Sequence, residues 1–125
     1  MSASALKILV VEDEIGILEE IADFLRRRRF DVATSGDLGS ARRALADSSA
    51  WPDIVVTDVK LPDGDGLELV RELGANAAHP RLIVMTGHLD QDSVRDAREQ
   101  GAEAVLMKPF ALRALLKQIS EPMAA

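Results

Sequence analysis

The run Ile54-Val55-Val56-Thr57-Asp58-Val59-Lys60-Leu61-Pro62-Asp63-Gly64-Asp65-Gly66 decides how this chain is read. It begins as an apolar, strand-forming stretch, and Pro62, Gly64 and Gly66 force a turn soon after it. One carboxylate, Asp58, is therefore delivered to the end of a strand. Taken alone, Asp58 reads equally well as a reactive group at a sheet edge and as a residue that merely ends a strand, since Asp is common beside turns. Residues delivered by other strands separate the two readings.

Upstream, Ile8-Leu9-Val10-Val11 is a short apolar run of the kind buried on both faces of a sheet, and it ends in Glu12-Asp13-Glu14. Leu18, Ile21 and Leu25 then recur at helical spacing among charged residues, which predicts an amphipathic helix over about 15–29. Phe30 to Thr34 alternates apolar and polar residues and reads as a second strand nearer a sheet edge. Asp37 or Ser40 caps a helix carrying Ala41, Ala44 and Leu45, which stops near Ser48-Ser49. Trp51, the only tryptophan, reads as packing against that helix end.

Downstream of the turn, Leu67, Val70 and Leu73 mark a helix ending near Gly74, and Asp63 and Asp65 are expected to hydrogen-bond their own turn. Arg81 to Met85 is a fourth strand, closing on Thr86-Gly87. A weakly amphipathic helix from about Asp92 to Gln100 comes next, with Gly101 as its C-cap. Ala104 to Met107 is a fifth strand, closed by Lys108-Pro109, and Leu112, Leu115, Leu116 and Ile119 form the last helix. Five strands alternating with five helices over short connections predict one α/β domain over 1–125, a parallel sheet with helices on both faces. Residues 1–6 and 121–125 are expected to be flexible ends.

Composition narrows the function classes. The 125 residues carry 15 basic and 21 acidic side chains, a formal charge of −6, so direct nucleic-acid binding is not expected. Arg26 to Arg29 is the largest basic cluster, and its place late in a helix suits the helix dipole. There is no cysteine, hence no disulfide and no thiolate metal site. No apolar run approaches the roughly 18 residues that span a bilayer, and a cytoplasmic setting is the default expectation.

In this architecture function gathers at the carboxyl ends of the strands. There the first strand delivers Glu12 and Asp13, the third Asp58, the fourth Thr86 and the fifth Lys108. The three acids repel one another unless a cation sits among them. All candidate ligands are oxygens, and His79 and His88 stand apart, so a hard ion such as magnesium, or manganese, is expected rather than zinc. A metal, a lysine and a hydroxyl around a carboxylate suit phosphoryl transfer with Asp58 as the nucleophile.

At these residues the chain resembles the response-regulator receiver domain of two-component signalling. The motifs are Glu12-Asp13 after strand one, Asp58 followed by Leu61-Pro62 and Gly66, Thr86-Gly87 after strand four, and Lys108-Pro109-Phe110 after strand five. The resemblance covers Lys7 to about Ile119. It implies a flavodoxin-like doubly wound five-stranded sheet of order 2-1-3-4-5, phosphorylated on Asp58 by a histidine kinase or histidine phosphotransfer protein. It also implies magnesium ligation by Asp13 and Asp58 directly, by Glu12 through water and by the Lys60 backbone carbonyl. By the same likeness Lys108 contacts the phosphoryl group, the Lys108-Pro109 peptide is cis, and Thr86 swings to switch the surface of the fourth helix, fifth strand and fifth helix, a possible homodimer face.

One departure stands out. Many receivers that couple in this way carry Tyr or Phe three positions before the lysine, and this chain has Val105. Lys60, Gly87 and His88 occupy positions that influence phosphoryl lifetime in such proteins, although a solvated lysine and an exposed loop histidine fit as well. The reading is of a regulator, not an enzyme beyond its own phosphoryl transfer and autodephosphorylation. Alternatives are a receiver-like interaction module that works without phosphorylation and a magnesium phosphohydrolase. The latter normally carries a second acid where Lys60 stands and needs a substrate cap that 125 residues hardly allow.

Overall fold

A computed structural model describes residues 5–47, 49, 51–87 and 91–120. Five parallel strands, β1 (Lys7–Val11), β2 (Asp31–Ser35), β3 (Ile54–Asp58), β4 (Arg81–Thr86) and β5 (Ala104–Met107), form one sheet in the order 2-1-3-4-5. They alternate with helices α1 (Ile15–Arg26), α2 (Leu38–Ala46), α3 (Gly66–Gly74), α4 (Gln91–Glu99) and α5 (Leu112–Ser120). This is the expected flavodoxin-like fold. The strand order reverses between β1 and β3, and the Asp58 edge lies at that switch point.

The sheet is buried on both faces because its central strands are apolar throughout, and strand alternation sorts their side chains into two cores. Ile8, Val10, Ile54, Val56, Ile83 and Met85 face α1 and α5, meeting Ile21, Leu25, Leu115 and Ile119. Leu9, Val11, Val55, Leu82 and Val84 face the other way, against Leu38 and Ala41 of α2, Leu69, Val70 and Leu73 of α3, and Ala97 of α4. Each fully buried aliphatic side chain contributes on the order of 2 kcal/mol. Both cores thus hold the strand ends in place with aliphatic side chains, the few aromatic residues packing only at their margins.

Several boundaries differ from the sequence reading. The first helix ends at Arg26, not near 29, and Arg29 takes φ 72, a left-handed residue that turns the chain. The arginines there are structural: Arg26 donates to the Val32 carbonyl, and Arg28 donates to the Phe24 carbonyl while lying over the Phe24 ring. Phe30 is outside β2 and instead packs, half-buried, against the α1 core. In β2 only Val32 and Ser35 are buried, as befits an edge strand. Asp37, not Ser40, caps α2, accepting from the Ser40 N–H at 2.7 Å. Trp51 packs, half-buried, against the core that α2 shares. Gly101 has φ 119 just beyond α4, the conformation expected of a glycine there.

The turn after Asp58 is more ordered than expected. Lys60–Leu61 and Gly64–Asp65 pair as a two-residue antiparallel ladder, with Pro62 and Asp63 at its tip. Asp65 caps α3, its side chain accepting from the Leu67 N–H while Glu68 accepts from the Asp65 N–H. Asp63 does something else: its two oxygens accept from the N–H groups of Leu38 and Gly39 at 2.8 and 2.9 Å, tying the ladder to the start of α2. Of the expected ends 1–6 and 121–125, residues 1–4 and 121–125 lie outside the described residues, as does His88, while the Leu6 carbonyl accepts from the Asp31 N–H at 2.9 Å.

Candidate functional site

Each functional side chain stands where a strand stops. Asp58 is the last residue of β3, and its neighbour Val59 still donates to the Met85 carbonyl at 3.1 Å before the chain turns. The turn closes tightly, with the Gly66 N–H on the Val59 carbonyl at 2.6 Å. A Cβ at Gly66 would lie 1.9 Å from the Asp58 carbonyl oxygen, so only glycine lets α3 start this close to the acid. Glu12 comes directly after β1 and is held by its N–H on the Ser35 carbonyl. The Lys108 N–H reaches the Thr86 carbonyl at 2.7 Å, which brings the ends of β4 and β5 together, and the Lys108-Pro109 peptide is cis.

These placements converge. The Lys108 ammonium donates to Glu12 Oε1 at 2.5 Å and to Asp58 Oδ2 at 2.8 Å. Glu12 is fully buried, and its second oxygen accepts from the Glu14 N–H at 3.1 Å. Carboxylate oxygens of Glu12, Asp13 and Asp58 all lie within 4.8 Å of one another. Asp58 is buried at 7 % exposure, whereas Asp13 is exposed, so the cluster has a closed back and an open front. Thr86 sits at the same edge at 8 % exposure.

The electrostatics are set by burial against pairing. Burial pushes the Glu12 carboxyl above its ordinary value, since the charged form loses water, and the hydrogen bonds from Lys108 and the Glu14 N–H only partly offset this. Burial acts on Lys108 in the opposite sense, yet hydrogen bonds to Asp58 and Glu12 outweigh it and hold the ammonium above its ordinary value. Lys108 is therefore a fixed cation. Three carboxylates against one ammonium leave two formal negative charges to be neutralised, and all the donors are oxygens. That donor set fits a hard divalent ion.

The cluster opens into a cavity of about 540 Å³, whose mouth includes Asp13, Asp58, Thr86 and Lys108. Its inner wall is apolar, with Leu67, Val84, Val94, Ala97 and Val105 from α3, β4, α4 and β5. Val105 thus lies in the same cavity as Thr86 and is half-buried. Lys60 and Gly87 line the cavity, and both are exposed. The structure brings together every site residue expected from the sequence except His88, which is not described.

Sequence reasoning missed Glu14, which steadies Glu12 through its N–H, although it completes the acidic triplet after β1. It also missed the apolar wall. Val94 and Ala97, three apart on α4, were the available signal for that wall.

A doubly wound sheet with an acid cluster and one lysine at its switch point is the architecture of a signalling receiver, and the family model for the response regulator receiver domain matches residues 8–120. The chain belongs to that family. It is 33 % identical over 114 residues to the transcriptional regulatory protein PdtaR of Mycobacterium tuberculosis, covering 90 % of this chain and 54 % of that protein. The chain spans about half the length of the curated relatives it matches. Among solved structures, the CheY-like receiver domain protein of Methanospirillum hungatei aligns with TM-score 0.87 at 27 % identity, covering 94 % of this chain and 93 % of that one. The beryllofluoride-activated NtrC4 receiver domain dimer aligns with TM-score 0.82 at 30 % identity, covering 91 % and 93 %. Among the described residues, no helix is long and apolar enough to cross a membrane.

Proposed function

We propose that the chain is a phosphoacceptor switch. It takes a phosphoryl group from a histidine kinase or a histidine phosphotransfer protein onto Asp58, with magnesium or manganese, and changes partner binding or dimerisation in response. The observation that carries this reading is the Lys108 ammonium held between Glu12 and Asp58 in a cluster of three carboxylates that it only partly neutralises.

Asp13 and Asp58 would hold the ion directly, Glu12 through water and Lys60 through its backbone carbonyl. When bound, the ion supplies charge neutralisation for the phosphoryl oxygens. An Asp58 carboxylate oxygen forms a bond to phosphorus as the bond from phosphorus to the donor's imidazole nitrogen breaks, that nitrogen keeping the electron pair. Lys108 exchanges its contact with Asp58 for one with the phosphoryl oxygens, and the Thr86 hydroxyl turns toward them from the rim of the same cavity. Lys60 and Gly87, at the mouth, set how easily water reaches the aspartyl phosphate.

Output runs through the α4–β5–α5 face. That face carries the exposed charges Asp92, Arg95, Asp96, Arg98, Arg113 and Lys117 on α4 and α5, and Met107, a large apolar side chain at 46 % exposure, on β5. Homodimerisation, for which this face is the candidate, accords with the dimer named for the activated NtrC4 domain. The acidic balance of the chain argues against a grip of its own on nucleic acid, and a histidine kinase or phosphotransfer donor would act on it in the cytoplasm. A phosphohydrolase would need an acid where the exposed Lys60 stands.

Acetyl phosphate with magnesium should add one phosphoryl group, seen as a mass increase that Asp58→Asn abolishes. No adduct with any donor would sink this reading and leave a receiver-shaped interaction module.

A further inference from the structure

We propose that the start of α2 is a second reporter of what occupies the Asp58 site, coupled to it through the carboxylate of Asp63. The inference rests on the phosphoacceptor reading, because the event it transmits is the loading of that site.

The segment from Val59 to Gly66 is fixed at both ends. At its base, the Gly66 N–H closes on the Val59 carbonyl, and the Asp58 carbonyl leaves no room for a Cβ at Gly66. At its tip, Asp63 accepts from Leu38 and Gly39, and Gly64, at φ 153, lies so close to buried Leu38 that a Cβ would come 2.7 Å from its Cδ1. Between them the Lys60↔Asp65 and Leu61↔Gly64 pairs stiffen the segment into a short ladder. A shift at Lys60, two residues from Asp58, is therefore carried to Asp63 by paired backbone and not lost in a loose loop.

What the ladder touches is sensitive to it. The first N–H groups of a helix have no partner within the helix. In α2, those of Leu38 and Gly39 are satisfied by Asp63 and that of Ser40 by Asp37. Those same two bonds, with Arg42 a lesser influence, hold the Asp63 carboxyl below its ordinary value. When the ladder swings out, Asp63 leaves with it, two of three capped donors lose their partner and the first turn of α2 frays, so a ladder steadied at Lys60 keeps those donors capped. Arg42 of α2 also reaches Glu72 and Glu68 of α3 at 2.6 and 3.7 Å, so the two helices share the disturbance. This route needs no bulky switch residue, in contrast to the one through Thr86 and Val105.

The test is amide hydrogen exchange of the whole chain by NMR, with magnesium alone and with magnesium plus beryllofluoride, while the fluorine signal reports bound beryllofluoride. A held Lys60 carbonyl steadies the ladder, so loading should raise protection at the Leu38 and Gly39 amides by about fivefold or more. Asp63→Asn should shrink that ligand-dependent rise and Asp63→Ala should remove it, with β1 amides keeping their protection as proof of an intact fold. Reciprocity requires Asp63→Ala to weaken loading by a similar factor. Bound beryllofluoride with unchanged protection at Leu38 and Gly39 overturns the inference. So does an Asp63→Ala chain whose loading is as tight as before. Absence of any beryllofluoride or magnesium binding removes the phosphoacceptor reading, and this inference with it.

Discussion

The sheet carries an ion-pair cluster at each end, and the two are built differently. At the carboxyl edge one ammonium, Lys108, faces three carboxylates. At the amino edge one guanidinium, Arg81, pairs with one carboxylate, Glu103, through two bonds of 2.8 and 2.7 Å. Arg81 also donates to the carbonyls of Gln118 and Ile119, and the Gln118 amide donates to Glu103. The amino edge is closed, its charges matched and its donors satisfied, and it ties the end of α5 to the sheet. The carboxyl edge is left short of positive charge beside an open cavity. Matched charge marks a structural pair, and a shortfall of charge marks a place prepared for a ligand.

Breaking the carboxyl edge should have the largest effect. Lys108→Met is expected to slow phosphorylation by acetyl phosphate about 100- to 1000-fold, the usual loss when a positioned donor to a developing oxyanion is removed. It should also cost about 3 kcal/mol in urea unfolding at neutral pH, because Glu12 is left buried without its counter-charge. Magnesium offers the converse measurement. At a hundredfold excess over its dissociation constant it should stabilise the wild-type fold by about 2.7 kcal/mol, and chelation should reverse the gain. A melting temperature indifferent to magnesium would mean that the shortfall of charge is not a binding site.

The amino edge should respond in stability alone. Arg81→Met leaves Glu103 with only the Gln118 amide and takes the donor from two carbonyls, and should cost about 2 kcal/mol, with the phosphorylation rate unchanged. A slowed rate in that variant would erase the distinction between the two edges. The smallest effect is in pH. Hydrogen bonding to Arg81 holds the Glu103 carboxyl below its ordinary value near 4.5, against the opposing effect of its burial. The unfolded chain therefore binds this proton first as pH falls, so the stabilisation is fully present above about 4.5 and is lost as pH drops through the folded value. Its size is below about 1 kcal/mol for a pair still partly open to solvent, and comparison of acid unfolding in wild type and Glu103→Gln measures it.

The two edges were not equally visible in the sequence. Buried parallel strands are short continuous apolar runs, so Ile8 to Val11, Ile54 to Thr57 and Leu82 to Met85 announce themselves, and the residue next after each run lies by construction at the carboxyl edge. Glu12, Asp58 and Thr86 could be grouped for that reason without knowing any distance, and Lys108 joins them as the residue after Ala104 to Met107. The Arg81 cluster has no such marker. Its partners lie 22 to 38 residues away and meet only because β4, β5 and α5 adopt one register, which no local pattern encodes. Asp63 misled in a related way. Its neighbours are turn residues, so a local bond was the natural expectation, whereas its partners belong to a helix 24 and 25 residues earlier. The end of α1 was misplaced because arginine is a good helix former, and nothing in four consecutive arginines says which one turns the chain.

Gly66 has a counterpart at the far end of α3. A Cβ at Gly74 would lie 2.1 Å from the Gln100 carbonyl oxygen, much as one at Gly66 would strike that of Asp58. The helix, about 13 Å long, is thus seated against main-chain carbonyls at both ends, with the Thr57 hydroxyl also close to the first seat. Alanine at either seat would drive its Cβ into a main-chain carbonyl, so the helix could keep its place only if the chain at Asp58 or at Gln100, where α4 gives way to β5, moved aside.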